Sequence, residues 1–191
     1  MPQVLNKSYD ELVESAQKLF WLKGYKGVSS TELASYLDVS ASTIYNKYTR
    51  EMLFMDSVRY YMNNYTDPFL SQLRETTGGK ESLRGFFYSL VDALLDKTFP
   101  KSCLMVNTVV EMRNENKDVI KLYDDYFNAL THSYKVVLDK SIELGQLKHP
   151  EKRDEYADFL LGVIFGLSIL YKINTKEELQ KFIDEQLSFI V

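Results

Sequence analysis

The chain predicts an all-α protein, and three observations carry that prediction. Only 4 Pro and 8 Gly interrupt 191 residues. Runs of alternating β-branched residues are scarce. Helix starts are spelled out as a hydroxyl residue followed three positions later by a glutamate, at Ser8-Tyr9-Asp10-Glu11, Ser29-Ser30-Thr31-Glu32 and Thr175-Lys176-Glu177-Glu178. In such a capping box the hydroxyl accepts from the amide three residues on, and the glutamate reaches back to the cap's own amide.

The first helix follows Ser8, with Tyr9, Leu12, Val13, Ala16, Leu19 and Phe20 on one face at 3/4 spacing. It stops at Gly24, and Gly27 keeps the connection to the next helix tight. The second helix runs from about Ser30 to Leu37, Asp38-Val39-Ser40 forms a short turn, and the third runs from about Ala41 to Tyr48. A long fourth helix starts near Thr49 and is expected to kink or split at Asp67-Pro68, because proline cannot donate a backbone hydrogen bond and clashes with the preceding turn. Thr76-Thr77-Gly78-Gly79 reads as a loop. Further helices are expected at about 81–97, 101–113, 117–144, 151–172 and 176–190, giving about nine in all. Asn114-Glu115-Asn116, Gly145-Gln146 and Ile173-Asn174 punctuate them.

Composition bounds the chemistry. Hydrophobic residues make up 45% and charged residues 26%, an ordinary globular balance. The longest apolar run, Phe159 to Tyr171, has 13 residues, whereas a membrane span needs about 20, so no membrane partner is expected. Met1-Pro2-Gln3-Val4-Leu5-Asn6-Lys7 lacks the charged-then-apolar layout of a signal peptide. The single cysteine, Cys103, excludes an internal disulfide framework and fits a reducing cytoplasm. The net charge of −4 conceals an asymmetry: residues 18–50 carry +3, and residues 61–191 carry −4.

The positive segment is also where two short helices meet across a three-residue turn after a preceding helix, the layout of a helix-turn-helix. Leu33, Ala34, Leu37, Val39 and Ile44 are apolar where such helices pack on one another, and Ala34 is small where they approach closely. Ser40 is a good N-cap for the second of the pair. Small polar residues on its first turn allow deep approach to a DNA groove, so Ala41, Ser42, Thr43, Tyr45, Asn46 and Lys47 can face the major groove and its phosphates. Asn46 suits a base edge, while Tyr45, Lys47 and Arg50 suit phosphate contact.

Leu19-Phe20-x-x-Lys23-Gly24-Tyr25-x-Gly27-Val28-Ser29, then Leu33-Ala34, then Val39-Ser40-x-x-Thr43-Ile44-Tyr45-x-x-Tyr48 resembles the signature of the TetR (tetracycline-repressor) family over about residues 10–54. The resemblance implies a three-helix DNA-binding head, here residues 1–50, on a helical-bundle body for ligand binding and dimerisation, residues 51–191. It also implies a homodimer on a pseudo-palindromic operator. Ser29, Thr43 and Tyr45 match positions that touch phosphates, and residues 41–46 match the base-reading face. Asp38 and Ser42 stand where the family often has glycine. The stretch after Tyr48 is one residue short, with Arg50 in place of a usual lysine.

The body is rich in large apolar side chains, among them Phe87, Met105, Tyr123 and Phe127. In the family such residues line a cavity for a small apolar ligand; a filled core would need them equally. Ser102-Cys103-Leu104-Met105 resembles a Gly-Cys-Leu-Leu-like stretch of one branch, some of whose members sense oxidants or electrophiles through cysteine. A thiol in the first turn of a helix starting at Pro100-Lys101-Ser102 would be favoured as thiolate by the amide dipoles and Lys101, while the bland reading of Cys103 is a small buried hydrophobe. His132 and His149 have no metal-ligand spacing, and neither a metal nor a cofactor is expected. Gly162 and Gly166 on one helical face, with Leu179, Phe182, Ile183 and Leu187 on the last helix, suggest a dimer seam, packing within the chain being the alternative for the glycines.

The expected function is therefore a ligand-responsive regulator, most simply a repressor released by a small molecule or electrophile. The alternative is a DNA-bound adaptor that recruits a partner protein through its body. No nucleophile–base constellation, phosphate-cradling glycine loop or metal cluster points to an enzyme.

Overall fold

The computed structural model describes residues 7–96, 103–112 and 116–191. Helices are the only regular structure among them, and their order follows the expected one. The chain runs α1 (Tyr9–Lys23), α2 (Ser30–Leu37), α3 (Ala41–Asn46), α4 (Arg50–Tyr61), α5 (Asp67–Arg74), α6 (Lys80–Leu95), α7 (Leu104–Met112), α8 (Lys117–Glu143), α9 (Arg153–Leu170) and α10 (Lys176–Leu187). The expected break at Pro68 takes a different form. A π-helical turn, Met62–Thr66, joins α4 directly to α5, and Pro68 lies in the first turn of α5. Proline there removes an amide that the start of a helix leaves unpaired anyway. Counted with that turn as one helix, α4 and α5 bring the total among the described residues to nine.

The compact units cut the chain differently from the sequence reading. The first comprises residues 1–65 and 103–123, so α7 and the start of α8 belong with the three-helix head and α4. Its core is the α1–α4 interface, where Leu12, Ala16, Leu19 and Phe20 meet Leu53, Phe54 and Val58, all nearly or wholly buried. Phe20 meets Phe54 edge-on at 5.0 Å, and Tyr25 lies 4.8 Å from Phe54. Each such fully buried side chain contributes about 1.5–3 kcal/mol. Ser57 is buried at the same interface because its hydroxyl donates to the Leu53 carbonyl at 2.6 Å within α4.

The second unit comprises residues 66–102 and 124–191. Phe86, Phe87 and Tyr134 form its aromatic centre, with Phe87 and Tyr134 stacked at 6.0 Å. Tyr134 is wholly buried, and burial pushes its hydroxyl well above the ordinary phenol range. α10 packs on α6 and α9 through Leu179, Ile183 and Leu187. At the rim, Arg84 on α6 grips the Asp184 carboxylate on α10 through Nε at 2.7 Å and Nη2 at 2.8 Å, and Tyr88 donates to the same carboxylate at 2.8 Å. The Arg84 guanidinium holds Asp184 below the usual carboxylate range, but the pair is exposed and adds orientation more than stability.

Two of the three predicted capping boxes close fully, at Ser8 and Thr175. At Ser29 the hydroxyl accepts from the Glu32 amide at 3.1 Å, but the Glu32 carboxylate pairs with Lys23 in the last turn of α1 and does not reach back. A local cap has become a tie between two helices. No described helix is long and apolar enough to cross a membrane.

Candidate nucleic-acid interface

α3 is short because it is held at a single point. Of its six residues only Ile44 is buried, at 1% exposure, and it sits over Leu33, Ala34 and Leu37 of α2 in the core of the head. Ser40 starts the helix: its hydroxyl accepts from the Thr43 amide at 3.2 Å and shares hydrogen bonds with Ser42 Oγ at 3.0 Å and Thr43 Oγ1 at 2.8 Å. The turn before it depends on Asp38, which adopts the left-handed region (φ 57°, ψ 49°) and sends its amide back to the Ala34 and Ser35 carbonyls. Aspartate is among the few side chains that tolerate this conformation, which glycine adopts most readily. Lys7 donates to the Leu37 carbonyl at 3.0 Å and so closes the C-terminal end of α2.

These constraints leave one face of α3 in solvent. Ala41, Ser42, Asn46 and Lys47 are exposed, Tyr45 is 61% exposed, and Thr43 is half-buried through its bond to Ser40. Ser29 is exposed at the N-cap of α2. Tyr48 is half-buried: its ring lies 4.8 Å from that of Tyr9, and Lys47 Nζ lies 4.8 Å from its centroid. Tyr9 is anchored in turn by its hydroxyl, which donates to Asp56 at 2.6 Å; burial and that bond hold it above the ordinary phenol range. The exposed face is small at its leading end and carries an amide, a phenol and an ammonium further on. That chemistry suits a groove bounded by phosphates.

Arg50 is engaged within the chain. It was expected to face phosphate, but Nη1 donates to the Val28 carbonyl at 2.6 Å and to that of Tyr25 at 3.3 Å, and the guanidinium lies 4.1 Å over the Tyr25 ring. The chain turns back between α1 and α2 and presents two carbonyls within reach of the first residue of α4. A planar guanidinium is suited to bridge them. Arg50 therefore holds the α1–α2 turn.

The expected sensor residues are divided between the two compact units. Cys103, Met105 and Tyr123 belong to the first unit, while Phe87 and Phe127 belong to the second. Phe87 is core, Phe127 stacks on Phe165 at 5.1 Å, and Met105 is 1% exposed. Cys103 is half-exposed immediately before α7, and its carbonyl accepts from the Asn107 amide at 3.1 Å. Its Sγ accepts from the Tyr61 hydroxyl at 3.6 Å. The anticipated helix start at Pro100-Lys101-Ser102 and the loop residues Asn114 and Glu115 lie outside the described residues.

The seam expected on the last helix also changes. Leu179, Ile183 and Leu187 are buried at 1%, 0% and 4% exposure against α6 and α9, so they hold the chain's own core; Phe182 is half-buried. The glycines behave differently. A Cβ on Gly162 would meet nothing within 4 Å, and one on Gly166 would meet only the edge of the Phe182 ring at 3.8 Å. Sequence reasoning missed their exposed neighbours on the same face of α9: Phe159 at 37% and Ile169 at 63% exposure, with Ile173 at 80% just beyond. The signal was present, since 159, 162, 166, 169 and 173 recur at 3/4 spacing.

His132 is exposed, His149 lies 3.2 Å from the Glu151 carboxylate, and no group of potential metal ligands occurs among the described residues.

No family model matches the chain. Among curated sequences it is similar to the uncharacterized HTH-type transcriptional regulator YezE of Bacillus subtilis, at 24% identity over 97% of this chain and 98% of the relative. It is also similar to the HTH-type transcriptional repressor ComR of Escherichia coli, at 24% identity over 88% and 80%. Among solved structures it is similar to the TetR-family regulator CifR bound to a 26-base-pair operator, with a TM-score of 0.79 and 19% identity over the whole of both chains. The reduced form of NemR from E. coli superposes with a TM-score of 0.79 and 15% identity over 95% and 97%. The chain therefore shares the all-helical fold of TetR-family transcriptional regulators and is similar to an HTH-type regulator along nearly its whole length.

Proposed function

We propose that the protein is a repressor that binds a pseudo-palindromic operator as a homodimer in the cytoplasm and leaves it when a small apolar molecule or an electrophile acts on the body. The observation that carries this reading is the outer face of α3. Ala41, Ser42, Tyr45, Asn46 and Lys47 are presented to solvent by a helix whose single buried residue is Ile44. A helix packed for its own sake would bury more of its surface. Ser29, Thr43 and Tyr45 take the phosphates in this reading, and residues 41–46 take the base edges.

The two-fold partner is supported by the α9 stripe of Phe159, Gly162, Gly166 and Ile169, whose glycines meet no close packing among the described residues. The operators expected are accordingly two half-sites about one helical turn, roughly 34–36 Å, apart or a multiple of that. The electrophile arm rests on Cys103, half-exposed with a phenol donor on its sulfur. It is in keeping with NemR, a neighbour solved in a form named as reduced.

The test is selection of bound duplexes from a random pool, followed by titration of the winner over a range of salt. A repeated, inverted motif with steep salt dependence is expected, and Lys47→Ala should lower the slope of log K against log salt by about 0.9 if it neutralises one phosphate. Recovery of no motif ends the proposal. Repeating the titration with a thiol oxidant on wild type and Cys103→Ser separates the effector classes: release lost in the variant assigns the thiol, and equal release in both removes it from the mechanism.

A further inference from the structure

The turn that delivers Ser29 to the interface is held from two sides, and one holder comes from far along the chain. Residues 24–28 join α1 to α2. Within the turn, the Gly24 amide bonds back to the Phe20 carbonyl at 2.8 Å, and the Val28 amide weakly to that of Tyr25 at 3.3 Å. Arg50 takes the Tyr25 and Val28 carbonyls from one side. From the other, the Lys26 amide donates to Glu111 Oε2 at 3.0 Å, across 85 residues of sequence.

The fit of that carboxylate is specific. Gly24 closes α1 at φ 73°, and a Cβ there would overlap the Glu111 carboxyl group. Glycine thus serves the left-handed turn and leaves the space that Glu111 fills. A second tie follows α7: Asn116 Nδ2 donates to Glu51 Oε1 in the first turn of α4 at 2.5 Å. Both ends of the segment between α1 and α4 are therefore gripped by α7 and the residues just after it, all within one compact unit.

We propose that Glu111 is a positioning residue for operator binding: from α7 it sets the α1–α2 turn, and through it Ser29 and the start of α2, in the geometry that phosphate contact requires. This rests on the operator-binding reading. Glu111 touches no DNA in this proposal and acts only through the turn. The proposal also has a sign opposite to plain electrostatics. A carboxylate beside a DNA-contacting turn repels phosphate, so charge alone predicts that its removal strengthens binding. Positioning predicts that removal weakens it.

The experiment measures operator and random-duplex affinity for full-length wild type, Glu111→Ala and Glu111→Gln, with a thermal melt of each. Glutamine keeps an acceptor for the Lys26 amide and drops the charge. The expected result is a loss of operator affinity of about ten-fold in Glu111→Ala, a smaller loss on random duplex, where removal of the carboxylate charge offsets part of the lost phosphate contact, an unchanged salt slope, and wild-type or better operator affinity in Glu111→Gln. If Glu111→Ala melts well below wild type, Glu111→Leu, with similar bulk and no acceptor, replaces it and is expected to show the same loss. Unchanged or tighter operator binding without an acceptor overturns the proposal, as does equal loss in Glu111→Gln. A wild-type protein with no operator preference overturns the operator-binding reading itself, which the wild-type arm reveals before any variant is read.

Discussion

α3 and α9 each leave one face uncovered, and the two faces differ in kind. That of α3 carries small side chains, an amide, a phenol and an ammonium around a single buried anchor. That of α9 carries Phe159, Gly162, Gly166 and Ile169, apolar or lacking a side chain altogether, on a helix whose other side is thoroughly buried. Water tolerates the first face well. The second retains hydrophobic free energy that burial against another protein surface would recover. Solvent exposure alone therefore says little about function; the chemistry of the exposed atoms separates a surface suited to a polyanion from one suited to a second copy of the chain.

The largest expected effect strikes the anchor. Ile44→Ala removes the one buried contact of α3 and should cost about 2–5 kcal/mol in the head. Hydrogen exchange should show the loss in α2 and α3 while the second unit stays protected, with operator binding gone. If α3 stayed protected, the contrast between a singly anchored helix and a thoroughly anchored one would fail. Next in size, Ile169→Asp places a charge on the apolar stripe. The chain should still fold, since Ile169 is 63% exposed, yet sedimentation should report a dimer weakened about ten-fold or more, equivalent to about 1.4 kcal/mol. An unchanged dimer would move the seam elsewhere. The smallest effect sharpens the account of the turn before α3: Asp38→Gly relieves a left-handed non-glycine residue and should raise stability by up to about 1 kcal/mol, read as a shift in the denaturant midpoint. A loss there would mean that the Asp38 side chain contributes more than its backbone geometry shows.

Much of the candidate interface was legible because its determinants are short-ranged. Ser8, Ser29, Ser40 and Thr175 each cap a helix through an amide three residues away, and the turn at Asp38 closes within a few residues. The π turn was only half legible. Pro68 announced a perturbation, but whether a helix kinks, breaks or widens depends on what the neighbouring side chains can fill, as Tyr61 and Tyr65 do by meeting Trp21 edge-on at 4.8 and 5.3 Å.

The sequence by itself determined the helical class, the order and starts of the helices, and the face of α3 that looks outward, since each follows from contacts between residues within about two turns of one another. Tertiary structure alone decided where the long-range side chains go. Arg50 turned from an expected phosphate to the Tyr25 and Val28 carbonyls, Glu111 reached the Lys26 amide, and Leu179, Ile183 and Leu187 were drawn into the core of the second unit. An amphipathic stripe or a guanidinium records what kind of surface it needs, and not which one. That choice is made only when distant segments are brought together, and here it separates the residues left on the open face of α3 from those that hold that face in place.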